Sequence, residues 1–137
     1  MPKLFELNIF TPERLFFSDK VEAVTVTLPD GRATFLAGHT PLVAPVEVAT
    51  TLIKKDDGEW AEAFSSEGFV EVRRSGVIMF VQTCEWPEEI DAKRAEDALF
   101  RAEEAIRQRR SIAEYQKSKI DLARAVERLR VTRLKRK

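Results

Sequence analysis

The sequence lacks the residues that disulfides and structural zinc sites require. Its 137 residues include one cysteine, Cys84, and one histidine, His39. A single cysteine excludes an intramolecular disulfide and predicts a reducing compartment, and the absence of a Cys/His cluster argues against structural zinc. No apolar run approaches the roughly 20 residues of a membrane span, and the first residues form no signal-peptide core. A soluble cytoplasmic protein is therefore expected.

The familiar motifs of nucleotide-binding and catalytic chains are also missing. There is no glycine-rich loop of the Walker or Rossmann type, so any nucleotide site has to be built from side chains. His39 has no Ser or Cys nucleophile in a recognisable motif, and Cys84 has no evident base. Glu88 and Glu89 are better explained as acids that favour the first turn of a helix. The sequence predicts no catalytic residue, no metal site and no enzyme activity of the chain alone.

The net charge of the chain is zero, but the charged residues are unevenly distributed along it. Residues 1–86 hold 8 basic and 13 acidic side chains, a net charge of −5, and residues 87–137 hold 15 and 10, a net charge of +5. Hydrophobic residues make up 44% of the chain, enough to form a core. An acidic half joined to a basic half predicts self-association of the two, or a basic half that meets an acidic partner.

Residues 1–86 carry the period-two patterns of strands. Phe5, Leu7 and Ile9 alternate with other residues, as Val24 and Val26 do further along. Turn signals recur at short intervals, and many short strands with regular turns predict a β-sandwich of about eight to ten strands. The turn signals are Pro29-Asp30-Gly31, Asp56-Asp57-Gly58, Ser66-Glu67-Gly68 and Ser75-Gly76.

Residues 87–137 read as two helices. No glycine or proline occurs after Pro87, and Asp91 is the expected N-cap of the first helix. A second helix is predicted from about Ile112, with the turn between the helices near residue 110. The predicted fold class is α+β, an N-terminal β-sandwich (1–86) followed by a C-terminal antiparallel two-helix hairpin (87–137). The apolar stripe of the first helix is narrow; it comprises Ala95, Leu99, Ala102 and Ile106.

Four arginines of the basic half return to common helical faces. Arg94 and Arg101 are about 10 Å apart along one face of the first helix, and Arg124 and Arg128 lie one turn apart on the second. A turn near residue 110 brings the two pairs level. Guanidinium groups suit phosphate oxygens because their donors form a fixed fork. The spacing leaves open the alternative of a solvated charged face, whose pairing acids are Glu96, Glu103, Glu104 and Glu127.

Two further segments suggest contacts with partners. The C-terminal residues are strongly basic, and nucleic acid, an anionic membrane surface and an acidic protein are the possible partners. An acidic protein is favoured, because the second helix offers only Tyr115 for base stacking. The loop from Gly38 to Pro45 is the other segment. It is read either as a rigid turn into a strand or as a preformed loop that presents His39 and Pro41 to a partner.

These segments together resemble the epsilon subunit of the bacterial F-type ATP synthase over essentially the whole chain. Thr11-Pro12 resembles the opening of that family, and Gly38-His39-Thr40-Pro41-Leu42-Val43-Ala44-Pro45 is similar to its most characteristic loop. The segment Phe64-Ser65-Ser66-Glu67-Gly68-Phe69-Val70-Glu71-Val72 resembles its later hairpin. A β-half followed by two helices matches its domain plan.

The resemblance implies a non-catalytic rotor subunit at the cytoplasmic face of the bacterial membrane. The sandwich of such subunits binds the gamma subunit and rests on the c-subunit ring, with the His39 and Pro41 loop near that ring. The hairpin of such subunits folds down on the sandwich, or extends along gamma towards the catalytic beta and alpha subunits and restrains ATP hydrolysis. The basic C-terminal helix then meets acidic segments of beta. No nucleic acid is implied.

The resemblance also implies a regulatory ATP site, with magnesium left open. Some members bind ATP through an Ile/Leu-Asp-x-x-Arg-Ala motif, which here is Ile90-Asp91-Ala92-Lys93-Arg94-Ala95. By analogy, Glu85, Ile90, Asp91 and Ala95 surround the adenine, and Arg94, Arg101, Arg124 and Arg128 hold the phosphates. Two alternatives stay open: a structural stalk subunit without nucleotide response, and a nucleic-acid-binding adaptor that uses the basic helix.

Overall fold

The structure is a computed structural model that describes the backbone of residues 3–108 and 112–136, and the side chains of residues 3–108 and 116–132. The chain divides into two compact units, Met1–Glu85 and Trp86–Lys137. The predicted turn near residue 110 and the side chains of the basic C-terminal residues after 132 lie outside the described residues. Each unit is described by itself below.

The first unit is built from strands alone. Its period-two segments form antiparallel pairs, as alternating burial requires, and one parallel pair joins β1 to β8. Nine strands occur within the described residues. They are β1 (Phe5–Phe10), β2 (Leu15–Leu28), β3 (Gly31–Leu36), β4 (Leu42–Val46), β5 (Ala49–Lys55), β6 (Trp60–Ser65), β7 (Gly68–Arg73), β8 (Gly76–Val81) and β9 (Cys84–Glu85).

The long strand β2 pairs with three other strands of the sandwich. Eight strands follow the order β4-β7-β8-β1-β2-β5-β6-β9, with β3 paired to β2, across the described part of the chain. The first half of β2 pairs with β1, and its second half pairs with β3 and β5. The register shifts at Ile9/Phe10 and at Val21/Ala23. The predicted N-terminal β-sandwich is confirmed.

The core of the sandwich follows the alternation seen in the sequence. Phe5 and Leu7 of β1 are buried, and Glu6 between them is exposed. Polar side chains that enter the core pair with one another, as the Thr51 Oγ1 and Ser65 Oγ atoms do at 2.7 Å. Such pairing removes the free-energy cost of burying a lone hydroxyl.

The second unit contains a 3-10 turn and two helices. The turn spans Pro87–Glu89, α1 spans Ala92–Gln108 and α2 spans Ile112–Arg136. The Asp91 Oδ1 atom accepts a hydrogen bond of 3.1 Å from the Arg94 backbone N–H, so Asp91 is the N-cap that the sequence predicts. The two helices pack against each other, and the predicted α+β class is confirmed.

The helix stripe predicted for α1 is buried only where it is alanine. Ala95 and Ala102 are buried, and Leu99 and Ile106 are half-buried. Over their described residues, neither helix combines the length and the hydrophobicity that a bilayer span requires.

Candidate functional site

A groove of about 510 Å³ lies between α1 and α2, inside the second unit. Every described residue that lines it belongs to one of these two helices. The lining residues of α1 are Ala98, Arg101, Ala102, Ala105 and Gln108, and those of α2 are Lys117, Ser118, Asp121, Arg124 and Arg128.

The groove follows from side-chain size at helical spacing. Residues three and four positions apart share one helix face, and on α1 this face carries Ala98, Ala102 and Ala105. The axes of two packed helices lie about 8–10 Å apart. Alanine side chains are too short to fill the space between them. Arg101 projects from the same face into this space. The groove is therefore lined by alanines and by long polar side chains.

The charge of the groove is strongly positive. Its described lining holds four basic side chains against one acidic side chain, a net charge of +3. Arg101 and Lys117 form no ion pair with any described side chain. Arg124 and Arg128 are half-buried, where screening by water is weaker than at a fully exposed surface. An arrangement of this kind attracts a polyanion.

The structure brings together three of the predicted site residues, Arg101, Arg124 and Arg128. Arg94 is exposed on the first turn of α1 and does not line the groove. The facing pairs are therefore Arg101 with the two arginines of α2, rather than all four arginines at one level.

The other predicted residues have different positions. Asp91 is exposed, and its carboxylate caps α1. Ile90 is half-buried just before that cap, and Ala95 is buried in the first turns of α1. Glu85 is half-buried at the end of β9 in the first unit. None of these four lines the groove within the described residues.

Sequence reasoning missed four polar residues of the groove, Gln108, Lys117, Ser118 and Asp121. The spacing could have identified three of them. Gln108 lies seven residues after Arg101, Lys117 lies seven residues before Arg124, and Asp121 lies three before Arg124, so each shares a helix face with a predicted arginine. Ser118 is only 7% exposed although it lines the groove.

Local ion pairs lie on the surface of the helices outside the groove. Arg107 contacts Glu104 at 3.0 Å and Arg130 contacts Glu127 at 3.6 Å. Glu104 and Glu127 are two of the four acids that the solvated-face alternative requires. Arg107 and Arg130, their partners in these two pairs, do not line the groove.

The loop between β3 and β4 has a defined conformation. Gly38 has φ +76°, a value that favours glycine, and the His39 backbone N–H donates to the Leu36 carbonyl at 3.2 Å. The His39 ring lies edge-on against Phe35 at 5.0 Å, and its Nδ1 atom is 2.7 Å from the Thr40 carbonyl oxygen. Pro41 is exposed. The predicted contact residues thus sit on a shaped loop.

A row of aromatic side chains crosses the outer face of the sandwich. Phe69 pairs in register with Phe80, and Phe80 pairs with Phe10. The rings stack at centroid distances of 5.1 Å and 5.3 Å, although Phe69 and Phe80 are 45% and 40% exposed. Pro45 of β4 extends the row beside Phe69. This aromatic row (Phe69, Phe80 and Phe10, with Pro45 at its end) is the kind of apolar surface that marks a protein interface.

Comparison with protein families covers nearly the whole chain. The family described as "ATP synthase, Delta/Epsilon chain, beta-sandwich domain" matches residues 4–87, and the one described as "ATP synthase, Delta/Epsilon chain, long alpha-helix domain" matches residues 88–133.

Comparison with individual proteins agrees. The chain is 47% identical to the ATP synthase epsilon chain of Caldanaerobacter subterraneus subsp. tengcongensis over 96% of this chain and 95% of that one. It is 42% identical to the ATP synthase epsilon chain of Caldicellulosiruptor saccharolyticus over 93% and 92% of the two chains. A chain in the mitochondrial ATP synthase structure of Euglena gracilis, which comprises OSCP, F1 and the c-ring, has the same fold. Its TM-score is 0.77 at 22% identity, over 90% of this chain and 78% of that one.

Proposed function

This chain belongs to the delta/epsilon family of ATP synthase chains, and we propose that its two-helix unit is a regulatory element that binds ATP. As a member of this family the chain is a non-catalytic subunit of the ATP synthase complex. What the proposal adds is a nucleotide-dependent restraint on ATP hydrolysis. The observation that carries it is the basic groove between α1 and α2.

The groove has the size and chemistry that a nucleoside triphosphate requires. Its volume of about 510 Å³ falls in the range of small-molecule sites, roughly 300–1,000 Å³. Arg101 on α1 faces Arg124 and Arg128 on α2, and guanidinium forks bind phosphate oxygens by paired, charge-assisted hydrogen bonds. Ala98 and Ala102 provide apolar surface for a base.

The remaining predicted residues have supporting roles in this proposal. Arg94 lies on α1 about 10 Å before Arg101, within reach of the outer end of a bound nucleotide. Asp91 fixes the first turn that carries Arg94, because it caps α1. Ile90, Ala95 and Glu85 are assigned to the adenine by the family resemblance.

Bound ATP acts by holding two helices together. A ligand that binds only the closed hairpin stabilises it by RT ln(1 + [L]/Kd). Without ATP, repulsion among the groove cations favours separation of α1 from α2. The released helices then extend along the gamma subunit, and the basic surface of α2 meets acidic segments of the catalytic beta and alpha subunits. A cell short of ATP thereby restrains hydrolysis.

The sandwich is assigned to the gamma subunit and the c-subunit ring. The exposed aromatic row supplies apolar surface for gamma, and the loop with His39 and Pro41 supplies a preformed contact for the ring. The similar Euglena gracilis chain comes from an assembly that contains F1 and the c-ring. With these partners, the proposal locates the chain at the cytoplasmic face of the membrane as a peripheral subunit.

Calorimetric titration with ATP and ADP tests the proposal, using the full chain and the Arg101→Ala variant. Arg101 lines the groove and has no described ion-pair partner, so its loss removes a charge-assisted contact and weakens ATP binding roughly tenfold to 100-fold. Arg107→Ala is the matched control, since Arg107 is exposed on the same helix and pairs with Glu104.

We expect saturable binding that favours ATP, a large loss in Arg101→Ala and no change in Arg107→Ala. Absence of ATP binding by the unaltered chain at millimolar concentration contradicts the proposal. The chain is then a stalk subunit whose helices respond to protein contacts alone.

A further inference from the structure

Asp121 is the acidic residue among the described residues that line the groove. It lies four positions after Lys117 and three before Arg124, so on α2 it is the neighbour of a cation on either side. It is half-buried. Its negative charge opposes the net positive charge of the groove.

The Asp121 carboxylate forms no ion pair with a neighbouring described side chain. Lys117 and Asp121 have the i,i+4 spacing of a helix ion pair, yet the side chain of neither residue forms a hydrogen bond or ion pair with the described side chains. Since Asp121 lines the groove, its negative charge acts on whatever the groove contains.

We propose that Asp121 limits the affinity of the groove for polyanions, and so sets the ATP concentration at which the hairpin is held closed. The inference rests on the proposed function and concerns the regulation of the same site. Three groove arginines attract phosphate, and Asp121 opposes it from the same helix face as Arg124 and Arg128. The affinity for polyanions then depends on the attraction by the arginines and on the repulsion by Asp121, which does not contact the phosphates itself.

The effect of Asp121 is larger in the filled groove than in the empty one. Water in the empty groove screens the attraction between Asp121 and its neighbouring cations, so removing the carboxylate costs the free hairpin little. A bound ligand displaces that water, and the repulsion between the carboxylate and a phosphate grows as the local dielectric falls. Neutralising Asp121 therefore strengthens binding more than it loosens the free hairpin.

The Asp121→Asn variant of the full chain tests the inference, because it removes the charge and preserves the shape of the side chain. Binding of ATP, ADP and inorganic tripolyphosphate is measured by calorimetry in a buffer with a chelator of divalent cations. Glu103→Gln is the control, since Glu103 is an exposed residue of α1 that does not line the groove and its substitution changes the net charge equally. Thermal unfolding without ligand reports on the free hairpin.

We expect Asp121→Asn to tighten binding of ATP and tripolyphosphate roughly 3- to 10-fold, the effect of one unit charge several ångströms away in a partly screened site. Glu103→Gln leaves both affinities unchanged. Equal tightening in Glu103→Gln overturns the inference, because the effect is then one of overall charge. Unchanged or weaker binding in Asp121→Asn also overturns it, the latter by showing that the carboxylate holds the ligand.

The experiment separates this inference from the proposed function. Binding of ATP by the unaltered chain with no gain in Asp121→Asn defeats the inference alone. Binding of polyanions by Asp121→Asn and not by the unaltered chain upholds the inference and defeats the ATP switch of the natural chain. Absence of binding by both overturns both.

Discussion

At the scale of single residues, Asp91 of the Ile90–Ala95 motif has a structural role in α1. Asp91 was predicted both as an N-cap and as a nucleotide contact, and the structure shows the first role, with its Oδ1 atom 3.1 Å from the Arg94 backbone nitrogen. A second cap precedes it, since the Glu89 Oε1 atom accepts a hydrogen bond of 2.9 Å from the Trp86 N–H. Acids at the start of α1 are thus explained without a ligand.

Replacing Asp91 by alanine tests the capping role. The Arg94 N–H loses its acceptor, and we expect the unfolding free energy of the helical unit to fall by about 1 kcal/mol. Circular dichroism during denaturant unfolding without nucleotide measures this fall. Asp91→Ser retains a capping oxygen and recovers most of the stability. If alanine and serine are equally destabilising, the cap is not the cause.

At the scale of the elements, β7 and β8 bury one set of side chains and expose the alternate set on the outer face of the sheet. Val70 and Met79 point into the core, and their sequence neighbours Phe69 and Phe80 point outward and stack. An aromatic pair of this kind contributes about 0.5–1.5 kcal/mol beyond its buried area. It still leaves two large rings partly in water, which fits a surface that another subunit covers.

Substituting Phe69 by serine tests that surface. Phe69 is 45% exposed, so the sandwich keeps most of its stability. A partner that buries the aromatic row loses an anchor, and we expect at least a tenfold loss of affinity for the gamma subunit. Co-purification and surface plasmon resonance with isolated gamma measure this loss. Trp60→Ser is the control, because Trp60 is an exposed aromatic of β6 that is outside the row. Equal losses in both variants contradict a specific role for the row.

At the scale of the whole molecule, the chain divides into two compact units. Among the described residues, the hydrogen-bonded strand pairs lie within Met1–Glu85, and the groove lies in Trp86–Lys137. A sandwich with its own buried core can fold alone. Under the proposed function, we therefore expect subunit attachment and nucleotide response to be separable.

A chain that ends at Trp86 tests this separation. We expect it to unfold cooperatively with a β-sheet circular dichroism spectrum, because its core strands are all retained, and to bind gamma. We expect no ATP binding, because the groove helices are gone. A truncated chain that remains unfolded shows that the sandwich depends on the helices, and one that still binds ATP places the nucleotide site outside the groove.

Most of the fold could be predicted from the sequence, because the signals for it are local. Alternation in Phe5, Leu7 and Ile9 predicts a strand from one segment alone, and the structure begins β1 at Phe5. Asp91 before a stretch without glycine or proline predicts the start of α1. Hydrogen bonds within a turn of helix and the two faces of a strand depend on neighbouring residues, so the chain carries this information in short windows.

The site required the tertiary structure. The sequence by itself determined that the helices are basic and that arginines recur on their faces. It did not determine which residues face each other, because the pairing depends on the packing of α1 against α2. That packing places Arg101 with Arg124 and Arg128, leaves Arg94 outside and adds Asp121 to the groove. The aromatic row likewise arises from the register of β1, β7 and β8, and register is set by contacts between segments distant along the chain.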